Sequence, residues 1–310
     1  MAEKKNEDLI VVSSGIRAPF SQGVLSQSLI ASGVDPENAY SMATDIREIL
    51  IFEEIKEITA RNLYERVYSE LEDIDTANNT TFKDRYKLWH DIRNNKEPIL
   101  ILLGGASGIG TTTVATDLGY TLGINRVIGT DVIREIERKI ISYDLLPQIH
   151  VSSFEVWRTI KRPIGPEYDR VILGFRSQVE KVMVGVEALI ARAITEGIPM
   201  IIEGVHIVPG FLSEKYSKEK NLFMFVLNID DPKLHKMRLK TRGYMTIRGG
   251  KRYMKNFQNI RKIQNDIIDR AHFAGVPIID STYTKDAARS IITKITDEIS
   301  RRNPQKTDDE

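Results

Sequence analysis

One short stretch, LLGGASGIGTTT at residues 102–113, constrains the fold of this chain more than any other. It follows an apolar run typical of a buried strand and leads into a segment whose apolar spacing predicts a helix. Between them, Gly105 and Gly110 have the spacing of the phosphate-binding motif G-x-x-x-x-G-K-S/T. Glycines let consecutive backbone N–H groups face one anion, and the helix N-terminus adds a partial positive charge. The sequence therefore predicts a phosphate-binding loop between a strand and a helix.

The loop departs from that motif because Thr111 stands where the motif has its lysine. That lysine normally reaches the β- and γ-phosphates, so either the loop is degenerate and binds nucleotide weakly, or another cation replaces the lysine. A dinucleotide-binding G-x-G-x-x-G fits imperfectly, and a merely tight turn is the structural alternative. Thr112 falls at the position whose hydroxyl coordinates Mg²⁺. The residues expected around the nucleotide phosphates are Gly105, Ser107, Gly108, Ile109, Gly110, Thr111, Thr112 and Thr113.

Beyond residue 93, apolar runs alternate with segments of helical periodicity. Alternation of this kind predicts a mostly parallel sheet covered by helices. The runs read as strands are PILILLGG, NRVIGTD, PMIIEG, LFMFVLNID and VPIIDS. The predicted fold class is therefore α/β, with a parallel sheet flanked by helices, in a domain that spans residues 94–310.

Residues 1–93 have a different pattern, with a short strand followed by helices. The second helix has the clearest start, because Asp35 and Pro36 are suited to the N-cap and the first helical position. The segment DIRNNKEP, at 91–98, is read as a linker. The predicted elements are a strand at Leu9–Gly15, then helices from about Ser21, from Pro36 to about Lys56, and from about Thr59 to Leu71. A small, mostly helical N-terminal domain is expected.

Composition excludes several classes of protein. Of the 310 residues, 41% are hydrophobic and none is cysteine, so a packed core is available and cysteine-ligated metal centres are excluded. No apolar run approaches the roughly 18 residues of a membrane span, and the first residues lack the apolar core of a signal peptide. The net charge of +1 points to no general affinity for nucleic acid. A cytoplasmic protein without a membrane partner is expected.

Positive charge is nevertheless concentrated in one block, from Pro232 to Asn265, which has eleven Lys and Arg and no Asp or Glu. Arg238 and Arg242 lie four residues apart, on one helix face. A glycine-bearing loop with Arg248 follows. This pattern is similar to the lid of a small-molecule kinase, whose arginines close over phosphates and exclude water. The alternatives are a solvated surface or nonspecific RNA binding.

Two carboxylates end predicted strands, where ligands bind in open α/β sheets. Glu203 ends MIIEG and is suited to holding Mg²⁺ beside the phosphate loop. Asp131 ends RVIGTD and is suited to binding an acceptor or accepting its hydroxyl proton. An ordinary helix cap or turn is the alternative for each.

Cations near these segments are candidates for binding an acidic acceptor. Arg134 lies one turn beyond Asp131, and His206, just beyond Glu203, either faces the cleft or makes an incidental hydrogen bond. For the pair before Pro163, capping of a helix end is an equally good explanation. The candidate acceptor-binding residues are Arg134, Lys161, Arg162 and Arg176.

Several ordered motifs together resemble the 2-phosphoglycerate kinase family of methanogenic archaea. They are LLGGASGIGTTTVA, RVIGTDVIREI, SSFEVWR, PMIIEGVHIVPG and DDPKLHKMRLKTRG, within residues 94–302. The N-terminal segment VVSSGIRAPFSQGVLSQSLIASG resembles an ATP-cone domain, which that family often carries. The resemblance thus implies a P-loop kinase domain at 94–310 preceded by an ATP-cone-like, regulatory domain at 1–93.

The resemblance also implies a reaction, in which ATP phosphorylates the 3-hydroxyl of 2-phosphoglycerate to give 2,3-diphosphoglycerate. In such organisms this product is cyclised to a solute associated with heat tolerance. By motif position, Thr112 would contact Mg²⁺, Asp131 would lie on the acceptor side, and Arg238, Arg242 and Arg248 would lie over the phosphates. ATP, Mg²⁺ and a small phosphorylated hydroxy acid are the implied ligands, and a homo-oligomer is left open.

Three other functions compete with this interpretation. Another small-molecule kinase would share the phosphate chemistry and differ in the acceptor pocket. A non-catalytic ATP-sensing regulator would bind ATP without turnover. An RNA-binding protein using the basic block would show strong dependence on salt.

Overall fold

The computed structural model describes residues 9–13, 15–78, 82–94, 98–161, 163–245 and 250–302. The chain forms two compact units, each made of more than one stretch. In the described part, the first unit contains residues 9–94, Thr121–Gly123 and 296–302, and the second contains residues 98–120 and 124–295.

The first unit combines a three-stranded sheet with helices. Strand β1 (Ile10–Ser13) pairs antiparallel with β2 (Ile16–Pro19) and parallel with β3 (Glu57–Thr59). The helices are α1 (Gln22–Ala31), α2 (Pro36–Phe52), α3 (Ala60–Asn78) and α4 (Phe82–Asn94). Their apolar faces meet in a core that includes Leu29, Ile46, Leu50, Val67 and Leu71.

Side-chain caps begin α1 and α2 as the sequence indicates. The Ser21 hydroxyl accepts a hydrogen bond from the Val24 amide at 3.3 Å, and the Asp35 carboxylate accepts one from the Glu37 amide at 3.0 Å. Each cap satisfies an amide that has no partner inside its helix.

Several local predictions in this unit were wrong. Strands β2 and β3 were not predicted, α2 ends at Phe52 instead of Lys56 because the chain then turns into β3, and α3 continues to Asn78 instead of Leu71. Helix α4 was not predicted either, and it ends inside the segment that was read as a linker. Its start is fixed by the buried Asp75 carboxylate, which accepts from the Phe82 and Lys83 amides at 2.8 Å each.

The second unit is built on a five-stranded parallel sheet, so the predicted fold class is confirmed. Strand β4 lies in the middle, buried along its whole length, which explains its unbroken apolar sequence. The sheet order is β5-β6-β4-β7-β8. The strands are β4 (Leu100–Gly104), β5 (Val127–Gly129), β6 (Met200–Gly204), β7 (Leu222–Asn228) and β8 (Ile278–Asp280).

Helices connect these strands. The longest begins at the Asp169 cap, whose carboxylate accepts from the Val171 amide at 2.7 Å, and ends at Gly197, which has a φ of 66°. The helices are α5 (Thr111–Leu122), α6 (Thr130–Ile140), α7 (Arg170–Glu196), α8 (Glu214–Ser217), α9 (Pro232–Met245), α10 (Gly250–Lys255), α11 (Phe257–Ala274) and α12 (Thr284–Arg302). Two 3₁₀ helices, Pro147–His150 and Ser153–Thr159, lie between α6 and α7. Among the described helices, none has the length and apolarity required to cross a bilayer.

Candidate active site

The predicted phosphate loop joins β4 to α5, and its path depends on glycine. Gly108 and Gly110 have φ angles of 88° and 103°, which other residues rarely adopt. A Cβ at Gly108 would also overlap the side chain of Leu239, on α9. The loop therefore curls at the carboxyl end of the central strand while α9 presses against its outer side.

The register of the sheet brings the two predicted carboxylates to this loop. Leu103 on β4 is level with Glu203 on β6, and Gly129 on β5 is level with Glu203 on its other side. The Thr112 hydroxyl donates to Glu203 Oε1 at 3.0 Å. Asp131 follows β5 in the first turn of α6. The predicted metal-binding pair is thus in direct contact, and Asp131 lies at the same edge of the sheet.

A cavity of about 40 Å³ separates the loop from the strand ends. The described residues around it supply hydroxyls and carboxylates, and none of them is Lys or Arg. An all-oxygen set of this kind fits a hard cation such as Mg²⁺. The polar side chains that line the cavity are Ser107, Thr111, Thr112, Thr130, Asp131 and Glu203.

Arg238 holds the loop from outside this cavity. Its guanidinium donates to the carbonyls of Ile109 at 2.9 Å and Thr282 at 2.8 Å, and burial lowers its pKa from the ordinary arginine value. The Ser281 hydroxyl also bonds to the Ile109 carbonyl, at 2.9 Å. Because two backbone carbonyls occupy these donors, Arg238 positions the loop in this structure. Its closing over the phosphates stays a prediction.

A second loop contact, made by His235 on α9, was missed by the sequence analysis. Its Nε2 lies 2.8 Å from the carbonyl of Ser107 and must carry the proton, since a carbonyl only accepts. Burial lowers the pKa of this imidazole. Its Nδ1 is buried and has no hydrogen-bond partner among the described residues. Nothing in the sequence around His235 distinguishes it, because its partner lies far away in the chain.

The side chains of two other lid candidates lie outside the described part of the structure. Arg242 belongs to α9, for which only the backbone is described at this position, and Arg248 lies outside the described residues. Arg252, from the same basic block, forms an ion pair with Glu155.

Arg134 supports backbone on the acceptor side. Its guanidinium donates to the carbonyls of Val151 at 2.8 Å and Ile149 at 3.3 Å, and it reaches Asp131 Oδ1 at 3.3 Å. The residue is 6% exposed, and its Nε has no hydrogen-bond partner among the described residues. Arg134 therefore ties Asp131 to the 3₁₀ segment that follows α6.

The remaining acceptor candidates are not brought together with Arg134 by any contact that the structure describes. Arg176 on α7 forms an ion pair with Asp266 on α11, whose carboxylate is buried. Lys161 is exposed, and Arg162 lies outside the described residues. The binding roles predicted for these cations stay predictions.

His206 is wholly buried instead of facing the cleft. Its Nε2 lies 3.1 Å from Gln178 Oε1, which accepts, so Nε2 carries the proton and Nδ1 accepts from the Thr130 hydroxyl at 2.9 Å. Burial lowers the pKa of His206 to about 4. The Gln178 amide donates to the carbonyls of Gln148 and Val151, at 2.5 and 3.0 Å. This network, Thr130–His206–Gln178, fixes the start of α6 beside the cavity.

Proteins named 2-phosphoglycerate kinase are similar to this chain over most of its length. That of Methanothermobacter thermautotrophicus is 43% identical over 282 residues, which cover 90% of this chain and 90% of its own. Those of Methanopyrus kandleri and Methanocaldococcus jannaschii are 38% and 40% identical, over 95% and 93% of this chain and 89% and 92% of their own.

No protein-family model matches the chain. Among solved structures, a gluconokinase from Sinorhizobium meliloti 1021 is 11% identical and covers 66% of this chain and 97% of its own. Its TM-score of 0.41 is too low to support a conclusion.

Proposed function

The chain belongs to the 2-phosphoglycerate kinase family, and on this basis we propose that it phosphorylates 2-phosphoglycerate with ATP. In this reaction the 3-hydroxyl oxygen bonds to the γ-phosphorus, the bond between that phosphorus and the β,γ-bridging oxygen breaks, and the hydroxyl proton is released. The products are 2,3-diphosphoglycerate and ADP. The observation that carries the proposal is the family membership, supported by a glycine loop whose Thr112 hydroxyl contacts Glu203 at 3.0 Å.

We propose that this loop binds the phosphates of ATP. The residues from Gly105 to Thr113 offer backbone N–H groups and the N-terminus of α5 to the phosphates, as expected for anions at such a turn. Thr111 supplies a hydroxyl where a lysine is usual. His235 and Arg238 hold the carbonyls of Ser107 and Ile109, and this keeps the loop's amides directed toward the ligand.

The residues proposed to hold Mg²⁺ are Thr112 and Glu203, whose oxygens already meet. Such a cation neutralises charge on the transferring phosphoryl group. The chain's own residues are proposed to contribute to catalysis by positioning the two substrates and by stabilising the charge that develops during transfer.

On the acceptor side, Asp131 is proposed to accept the proton of the attacking hydroxyl. Arg134 and the Thr130–His206–Gln178 network hold it in place. Lys161, Arg162 and Arg176 are proposed to bind the acceptor's carboxylate and phosphate, although Arg176 is paired with Asp266 in this structure.

The lid arginines Arg242 and Arg248, together with Arg238, are proposed to stabilise the transferring group. Arg242→Ala should lower kcat at least about tenfold while the Kd for ATP changes less than about threefold. Lys240→Ala, an exposed position on the same helix, is the matched control. An Arg242→Ala variant that turned over at the normal rate would remove the lid from the mechanism.

The decisive assay measures ADP release with ATP and Mg²⁺ in the presence of 2-phosphoglycerate, 3-phosphoglycerate, uridine or shikimate. We expect turnover with 2-phosphoglycerate alone, and we expect it to be lost in Thr112→Ala and kept in Thr116→Ala. Turnover with another acceptor only would leave a kinase of different specificity. ATP binding without turnover on any acceptor would favour a regulator that senses ATP.

The further fate of the product, cyclisation to a heat-protective solute, is proposed from the family alone.

We propose that residues 1–93 form the ATP-cone-like regulatory domain. The supporting observation is a cavity of about 530 Å³ in the first unit, lined by the β1–β2 hairpin and by α1, α3 and α4. Its walls include Tyr64, Tyr86, Trp89 and His90, with the Tyr64 and His90 rings 4.1 Å apart. Aromatic walls suit stacking of a base.

Val24 offers a test of this cavity, because it lines it and yet is 63% exposed. Val24→Glu should change the dependence of rate on ATP concentration without unfolding the unit. Ile16→Glu, at a position that is 71% exposed and outside the lining, should leave that dependence unchanged. Identical curves for both variants and the parent would reject a regulatory cavity.

A further inference from the structure

Helix α6 carries a row of exposed apolar side chains. Val132, Ile136 and Ile140 are 55%, 57% and 79% exposed, and Tyr143 and Leu145 beyond the helix are 54% and 74% exposed. Residues four apart lie on one side of a helix, so the first three form a stripe about 12 Å long. A contiguous exposed apolar patch of this kind marks an interaction surface. Val132, Ile136 and Ile140 together form the α6 stripe.

The charged residues beside the α6 stripe are negative near the start of the helix and positive near its end. On one flank, Asp131 and Glu135 lie toward its start and Lys139 lies toward its end. The two carboxylates have intrahelical partners, Arg134 at 3.3 Å and Arg138 at 2.7 Å, and still keep 59% and 39% of their side-chain surface exposed. The α6 stripe therefore has an acidic flank at one end and a basic flank at the other.

We infer that the α6 stripe is a self-association surface, on which two copies of this chain pair with their α6 helices antiparallel. With Ile136 on the two-fold axis, Val132 of each copy packs on Ile140 of the other. Lys139 follows Ile136 by three residues and therefore lies level with position 133 of the second copy, midway between that copy's Asp131 and Glu135. Both flanks gain opposite charges in this way, and the helix dipoles also run antiparallel.

A parallel arrangement would lose these charge pairs. Its two-fold axis runs along the helices, so the flank with Asp131, Glu135 and Lys139 on one copy would lie against the opposite flank of the other copy, where Glu137 stands. An antiparallel pair has one patch on each copy and closes after two chains, which makes a dimer instead of a filament.

The pairing has a consequence for the active site. Asp131 lines the cavity beside the phosphate loop, and among the described lining residues there is neither Lys nor Arg. The dimer brings Lys139 of the second copy to the mouth of this cavity. Each site then receives positive charge from the other chain.

The absence of cysteine makes the register directly testable, because any introduced cysteine is the only one. Ile136→Cys should give a disulfide-linked dimer under mild oxidation, since the axis brings this position against itself. Ile140→Cys alone should not crosslink, whereas an equal mixture of Ile140→Cys and Val132→Cys chains should. Efficient crosslinking of Ile140→Cys to itself would mean a parallel pair and would overturn the charge argument.

Sedimentation of the full chain provides the second test. The parent should be a dimer at about 50 µM, and Ile136→Glu should raise the dimer dissociation constant at least tenfold. Phe273→Glu, which changes an exposed apolar side chain on α11, is the matched control and should leave it unchanged. Lys139→Glu should weaken the dimer more than Lys294→Glu, another exposed lysine. A monomeric parent, or a dimer indifferent to Ile136→Glu, would refute the proposal.

Discussion

Replacing His206 by leucine should destabilise the second unit by an amount that depends on pH. The imidazole is wholly buried and makes two hydrogen bonds. Leucine fills a similar volume but leaves Gln178 Oε1 without its donor from this ring and the Thr130 hydroxyl without this acceptor. Each buried group left without its partner costs about 1–3 kcal/mol. For the two groups together, the free energy of unfolding should therefore fall by about 2–6 kcal/mol at pH 7.

Acid should reduce this difference between the parent and the variant. The folded pKa of His206 is about 4, below the ordinary value of 6.5, so the unfolded chain binds this proton more readily. The parent is therefore fully stabilised above pH 6.5 and loses stability as the pH falls from 6.5 toward 4. At pH 5 the loss amounts to about 2 kcal/mol. His206→Leu lacks this titration, so its deficit should shrink by that amount.

Urea unfolding at pH 7 and pH 5 measures both effects. The chain has two tryptophans, and a Trp89→Phe background leaves Trp157 to report on the second unit alone. His272→Leu, at an exposed position on α11, is the matched control and should stay within about 0.5 kcal/mol of the parent. A deficit below about 1 kcal/mol at pH 7, or the same deficit at both pH values, would refute the network as described.

Three further substitutions test the phosphate loop. Thr112→Ala should lower kcat/KM at least about 100-fold in steady-state assays with Mg²⁺, whereas Thr116→Ala, one turn along the same helix, should stay within about twofold. Gly108→Ala places a side chain at a φ of 88° and should cost about 1–3 kcal/mol in urea unfolding, together with a higher KM for ATP. Arg238→Lys retains the charge but cannot reach both carbonyls, so the KM for ATP should rise about 3–10-fold, and kcat should also fall because Arg238 is proposed to stabilise the transferring group.

The phosphate loop could be predicted from sequence because its signals are local. Glycine spacing, the apolar run before it and the helical pattern after it all lie within a few residues of Gly105 and Gly110. The same holds for β4 and β7 of the parallel sheet, whose buried positions lie in unbroken apolar runs. Strand β2 has no such signal, because all four of its residues are exposed.

Contacts between residues that are distant in the sequence could not be predicted in this way. His235 contacts the carbonyl of Ser107, which is 128 positions away in the sequence, and Arg176 contacts Asp266, which is 90 positions away. Such contacts depend on which helices the sheet brings together, so the sequence reveals a cation without revealing what it touches. Arg134 is the clearest case, since the sequence analysis considered it for an acidic acceptor and the structure places its donors on backbone carbonyls.

The first compact unit is made of stretches that lie far apart in the sequence, and this affects the order in which the chain can fold. This unit takes in residues up to 94 but also residues 296–302, at the end of α12. Synthesis at about 5–20 residues per second delivers that last stretch about 10–40 s after α4. During this interval all five strands of the second unit emerge. Domains usually fold from the N-terminus onward as they are made, whereas here the unit that is begun first is completed last.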